Sequence, residues 1–291
     1  MRALPNRRTA APERGRVVAL PPFGLDADPS AELAIRPQGE FIAAEIDGVD
    51  LATPPDAATR ALLRRALATY GVFVLRDQTL SSRQLVDYAA VFGPPLAAAS
   101  SSTGATMLPG WPELEVVSNV AWGGTARNGL AAGDDRWRGG LDAAAHEGGV
   151  CLYAIEAAEE AGTLAFISAF EAYQRLPEGL KAKARDLSVL RGARPGGSTA
   201  PAGRPLVLVD PETGRAALQL GDLRGARIAG LSAAAAERLI DELWEYGIGA
   251  SAVWHHRLAA GDLLHWDPRF VLVRAAPAAG RFILWRARHG L

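Results

Sequence analysis

The chain has 291 residues, of which 49% are apolar, enough to build a sizeable core in one or two domains. A net charge of −1 gives no electrostatic reason to expect nucleic acid or an anionic membrane as a partner. The single cysteine, Cys151, excludes an internal disulfide framework and a multi-cysteine zinc site, and its apolar run "GGVCLYAI" marks it as a buried structural thiol. The only lysines, Lys181 and Lys183, sit in a polar helical stretch, so a Schiff-base mechanism is not expected. No run of 18 apolar residues is present to span a membrane.

Residues 1–30 hold five arginines and five prolines without a continuous apolar stretch. They read as a disordered tail rather than a secretory signal, and the cytoplasm is the expected location. One domain is expected over 31–291. In "GEFIAAEIDGVDLATP" (39–54) the alternation predicts paired strands turning at Asp47-Gly48. Leu62, Leu63, Ala66, Leu67 and Tyr70 recur at helical spacing, with Gly71 as the stop. "VFVLRD" reads as a short buried strand. Ser81 and Gln84 then match a capping box, Leu80 and Leu85 a hydrophobic staple, and Gly93 the helix end.

Residues 97–110 and 121–149 are rich in Ala, Ser and Gly and read as long loops, of the kind that are usually functional or disordered. "PELEVVSN", "VCLYAI" and "TLAFIS" predict strands, and a Pro-broken helix pair follows over 169–187. After a further loop (192–204), "PLVLVDPETGRAALQL" predicts a hairpin, "LSAAAAERLIDELWEYG" a helix capped by Ser232, and the tail two final strands. The pattern is that of one α+β domain built around a β-sandwich or barrel. Dinucleotide fingerprints, P-loops, H-E-x-x-H and nucleophile elbows are missing from the sequence.

Several segments in fixed order carry a resemblance: "AAEIDGVDL", "GVFVLRDQTLSSRQLVDYAAVFGPP", "AGTLAFISAFEAYQRLPEGLK", "DPETGRAALQL", "GDLLHWDPR" and "RFILWRA". From about residue 35 to the end the chain resembles the taurine dioxygenase family of iron- and 2-oxoglutarate-dependent oxygenases. The resemblance implies a double-stranded β-helix, a distorted jelly roll of cupin type, with helices packed outside. It also implies the places of the family's two-histidine, one-carboxylate iron ligands. Those places fall on Arg138 and Gly140 in "DDRWRGGLDAAAHEGG" and on Val273 in "WDPRFVLVRA". None of the three is a ligand, so the resemblance implies that the family's metal set is lost and that Fe(II) is not bound.

The five histidines offer no obvious replacement. His255 and His256 are adjacent and point to opposite faces of a strand. His265 reads as structural, and His289 as a frayed terminal residue. His146 imitates the His-x-Gly of the family's halogenases but falls too late in the chain. By the same resemblance Thr163 matches the family's oxo-acid threonine, and Arg286, with Arg281 nearby, the anion-binding arginines, while Phe282 occupies a place often basic.

The expectation is therefore a metal-free enzyme on an oxygenase scaffold, needing no cofactor. It would condense and cyclise an amine with a 2-oxo acid, 2-oxoglutarate included, or with an aldehyde, in a Pictet–Spengler-type reaction of specialised metabolism. Glu147, His146 and Asp142 are its acid–base candidates. Arg286, Arg281, Thr163, Arg138, Trp137, Trp122 and Asn119 are its substrate-binding candidates, the tryptophans by stacking. The expected partners are small molecules and a second copy of the chain, with neither nucleic acid nor membrane. Two other readings are an oxygenase with a displaced metal site and a non-catalytic binding homologue.

Overall fold

The computed structural model describes residues 33–98, 106–122, 125–126, 136–140, 147–159, 161–190, 203–221, 227–276 and 278–291. They belong to one compact unit, Glu32–Leu291. The expected tail, Asp142 and His146 lie outside the described residues.

Strands β1 (Ala34–Pro37) and β2 (Ala44–Asp47) pair antiparallel. The expected turn at Asp47-Gly48 is not the hairpin turn: the chain reverses between Gln38 and Ala43, where Gln38 N–H donates to Ala43 O at 2.9 Å. Helix α1 (Ala57–Tyr70) starts on the Asp56 cap and stops at Gly71, which takes the left-handed φ of 72° that ends helices. After β3 (Val72–Leu75), helix α2 (Ser82–Ala90) opens on the full Ser81/Gln84 capping box. It ends at Val91, two residues before the expected Gly93. Strands β4 (Thr106–Leu108) and β5 (Trp111–Ser118) precede a two-stranded ribbon, β6 (Ala121–Trp122) with β7 (Thr125–Ala126). The expected loops at 97–110 and 121–149 thus contain short strands.

Next come β8 (Glu147–Ala157), β9 (Thr163–Ser168), and helices α3 (Ala169–Arg175) and α4 (Glu178–Arg185), broken at Pro177 as the sequence predicts. Short strands β10 (Ser188–Leu190), β11 (Gly203–Pro205), β12 (Val207–Val209), β13 (Ala216–Leu218) and β14 (Arg227–Ile228) lead to α5 (Ala233–Leu243), capped by Ser232. The chain closes with β15 (Trp254–Arg257), β16 (Leu263–Trp266), β17 (Val271–Ala275) and β18 (Phe282–Gly290).

The main sheet runs β1-β2-β3-β16-β8-β18-β5-β4, and a smaller sheet runs β15-β9-β17. Their inner faces pack on each other as a double-stranded β-helix: Val74, Leu152, Leu264, Trp266, Phe282 and Leu284 of the main sheet meet Leu164, Phe166 and Val271 of the smaller one. On the outer face of the main sheet, Phe73, Cys151, Tyr153 and Ala287 carry Leu63 and Tyr70 of α1 and Leu85 and Tyr88 of α2. Behind the smaller sheet, Ile167 and Leu272 pack on Leu206, Leu218, Leu239 and Leu243. The alternation of strand side chains thus feeds two separate layers from each sheet. Among the described residues no helix is long and apolar enough to cross a membrane.

Candidate active site

In the smaller sheet β17 gains a partner beyond β9. Arg138 N–H donates to Val273 O and Val273 N–H to Arg138 O, each at 2.8 Å. Directly opposed residues of an antiparallel pair share a face, so Arg138 and Val273 lie on the inner face together. Gly140 N–H donates to Pro268 O at 2.6 Å one step along. The three positions singled out in sequence therefore meet at one point of the barrel wall. The backbone there admits no side chain at Gly140: φ is 54°, and a Cβ would lie 2.2 Å from Leu220 O.

The remaining expected site residues scatter. Trp137, adjacent to Arg138, packs with the layer behind the smaller sheet, and the Arg274 guanidinium lies 4.7 Å from its ring centroid. That contact uses its π-face outside the barrel. Thr163 faces away from the interior as well: Leu164 and Phe166 are the inner residues of β9, and alternation turns Thr163 to the other side. Asn119 helps to fasten the end of β5 to the start of β18, its amide donating to Gly280 O at 2.8 Å and its carbonyl accepting Phe282 N–H at 2.9 Å. Arg281 pairs with Glu156 on the surface at 2.5 Å. Trp122 belongs to the ribbon strand β6.

Arg286 and Glu147 do come together, through two residues that sequence reasoning missed. Glu115, buried on β5, accepts from Arg286 Nε at 2.5 Å and from Arg288 Nη2 at 3.2 Å. Arg288 Nη1 lies 3.8 Å from Glu147 Oε1, and Glu147 is buried. Arg286 and Arg288 stand two apart on one strand, which is the sequence signal for a shared face.

Of the histidines, His255 is exposed and His256 buried, as adjacency on a strand requires. His256 donates to Asp262 Oδ2 at 2.8 Å, and Asp262 also takes two contacts from Arg76 Nη1 at 3.0–3.1 Å. Burial raises the Asp262 carboxyl, but these bonds and charges outweigh it and hold the pKa below the ordinary value. His265 is structural, as expected. His289 is not frayed: it is 3% exposed, with its Nε2 3.0 Å from Nε2 of the fully buried His265.

The model of the taurine catabolism dioxygenase TauD, TfdA family matches residues 34–288. The chain belongs to this family. It is 29% identical over 288 residues to the (S)-phenoxypropionate/alpha-ketoglutarate-dioxygenase of Delftia acidovorans, covering 88% of this chain and 94% of the relative. It is 26% identical to the alpha-ketoglutarate-dependent 2,4-dichlorophenoxyacetate dioxygenase of Cupriavidus pinatubonensis, covering 82% of this chain and 90% of the relative. A taurine dioxygenase crystal structure from Burkholderia xenovorans superimposes with a TM-score of 0.74 at 25% identity, covering 89% of each chain. AAD-2, solved with Mn(II) and N-oxalylglycine, shares the fold with a TM-score of 0.69 at 22% identity, covering 89% of this chain and 97% of that one.

These relatives correct two expectations. They are named alpha-ketoglutarate-dependent dioxygenases, which overturns the metal-independent Pictet–Spengler condensation. They equally overturn the expectation that Fe(II) plays no part. What they support is the oxygenase alternative.

The described residues do not themselves fit an iron centre. The meeting point offers a guanidinium, a bare backbone and an isopropyl group, and the Cβ contact at Gly140 bars a carboxylate there. Among the described residues no group of three His, Cys, Asp or Glu could hold a metal.

Proposed function

We propose that the chain is an alpha-ketoglutarate-dependent oxygenase acting on a small aromatic molecule bound between the two sheets. The observation that carries the reading is the family match over residues 34–288. The substrate class is inferred from the chemistry of the inter-sheet interior, where Phe166, Trp254, Trp266 and Phe282 cluster, with Phe166 packed against both tryptophans at 5.3 and 5.8 Å between centroids. The named substrates of the relatives, phenoxypropionate and 2,4-dichlorophenoxyacetate, are aryl compounds. On this reading the metal ligands are not those of positions 138, 140 and 273, and Asp142 and His146, which follow Gly140 in the sequence and lie outside the described residues, are proposed in their place.

The residues described contribute shape and exclusion of water. The inner faces are aliphatic and aromatic, and Arg138 lies on the face that receives the substrate.

The test is metal retention and alpha-ketoglutarate consumption by the purified chain. It is expected to keep Fe(II) through desalting and to release succinate in an oxygen-dependent way, both lost in an Asp142→Ala/His146→Ala variant. No retained metal and no consumption would leave the barrel as a ligand-binding member of the family.

A further inference from the structure

The inner face of the main sheet changes character along β18. Phe282 and Leu284 belong to the apolar interior, and the same face then continues through Arg286 and Arg288. Arg286 stands directly opposite Glu115 in the β18–β5 register. Glu115 is 2% exposed, and both its oxygens are engaged: Oε2 by Arg286, through Nε at 2.5 Å and through Nη2, and Oε1 by Arg288 Nη2 at 3.2 Å. Arg288 also reaches Glu147, 3.8 Å away. The two guanidinium side chains stay 26% and 21% exposed. Among the described residues, two cations and two carboxylates thus meet at this end of the interior.

A pair of arginines on one face is a ready clamp for a ligand carboxylate. Here a tethered carboxylate already fills it. An intramolecular partner held in place competes with any free carboxylate for the same donors. A guanidinium has five N–H donors, so each arginine still has donors to offer. What they can offer is a hydrogen bond without net charge.

We propose that Glu115 is a specificity-determining residue that turns the Arg286–Arg288 pair from a carboxylate clamp into a donor site for an uncharged oxygen. The aromatic substrate taken here carries an amide, ester, ketone or ether oxygen in place of the acid of the phenoxypropionate and dichlorophenoxyacetate enzymes. The inference rests on the reading of the inter-sheet interior as the substrate site, and it does not rest on turnover.

The experiment compares binding of 2-phenoxypropionate and 2-phenoxypropionamide to the full chain and to Glu115→Gln by calorimetry. Wild type is expected to bind the amide about tenfold more tightly than the acid, a difference readily resolved. Glu115→Gln removes the internal counter-charge and is expected to reverse that order. Preference of wild type for the acid overturns the proposal, as does binding of neither compound or a variant that gains no affinity for the acid. If Glu115→Gln does not fold, the wild-type comparison decides alone. Alpha-ketoglutarate consumption by a chain that prefers the acid would sink this inference and keep the oxygenase reading; amide preference without consumption would do the opposite.

Discussion

On its outer face the main sheet buries Tyr88, His265 and His289, and on its inner face it buries Glu115 with Arg286 and Arg288. The outer group is neutral and closed. His289 Nδ1 can only donate to Gly290 O, 2.9 Å away, so its Nε2 is an acceptor. His265 Nε2 therefore donates to it, and His265 Nδ1 accepts the Tyr88 hydroxyl at 3.1 Å. Each proton has one place, fixed by assignment of the network. The inner group consists of full charges that compensate one another, and its guanidiniums keep part of their surface open. Satisfaction without spare capacity marks a structural device, whereas spare donors on an inward face mark a place where a ligand can act.

The largest expected effect tests how tightly the outer group is enclosed. A Cβ on Gly149 would fall 2.1 Å from His289 Nε2 and 2.8 Å from His265 Nε2. Gly149→Ala is expected to cost about 3 kcal/mol or more in denaturant unfolding, the upper range of overpacking. A cost below about 1 kcal/mol would mean that the imidazoles can shift and that the outer group is not closed.

The pH dependence separates the faces next. Burial lowers the His265 pKa well below its ordinary value, the neighbouring His289 adding to the shift, and burial also lowers His289. In the unfolded chain both imidazoles take protons near pH 6.5, so below that pH the unfolded state binds more protons and folding stability falls. The expected slope is about 1.4 kcal/mol per pH unit for each histidine, from about pH 6.5 downward to the folded values. Unfolding curves between pH 7.5 and 5 check it, and replacing His289 by Gln should remove one proton from the slope. A flat profile would show that the two imidazoles take up protons in the fold as readily as in the unfolded chain.

Removing one link gives a smaller effect. Tyr88→Phe leaves His265 Nδ1 buried without its donor, and a loss of about 1–2 kcal/mol is expected by the same denaturation measurement. Equal stability of the variant would break the chain of donors assigned above.

Much of the frame was legible in sequence because local signals agree with the final structure. The Ser81/Gln84 box, the Gly71 stop and the apolar run of β9 each act within a few residues. The failures are non-local. Glu115 alternates with Glu113 in the strand "PELEVVSN", and no local signal marks it until the β18 register puts Arg286 opposite it. His289 reads as frayed by its position, yet Gly93, Gly148 and Gly149 leave it room within the fold. Thr163 matches a motif, but one residue of offset decides which side of a strand it faces, and Leu164 has the inner place. A resemblance transfers position more safely than chemistry, and the chemistry of Asp142 and His146 is what has to be measured.

The smallest expected effect sets Arg281 against Arg286, two arginines of the same chain end that sequence treated alike. Arg281 pairs with Glu156 while both side chains remain largely exposed, at 57% and 43%. Water and salt screen such a pair, so Arg281→Ala is expected to change stability by no more than about 0.5 kcal/mol. It should also leave the affinity for 2-phenoxypropionamide unchanged, because the pair with Glu156 sits at the surface while Arg286 shares the inner face with Leu284. A several-fold loss of affinity in Arg281→Ala, measured by the same calorimetry, would move the ligand toward the Phe282 end of β18. It would also make the surface pair, rather than the Glu115 cluster, the part of this strand that senses substrate.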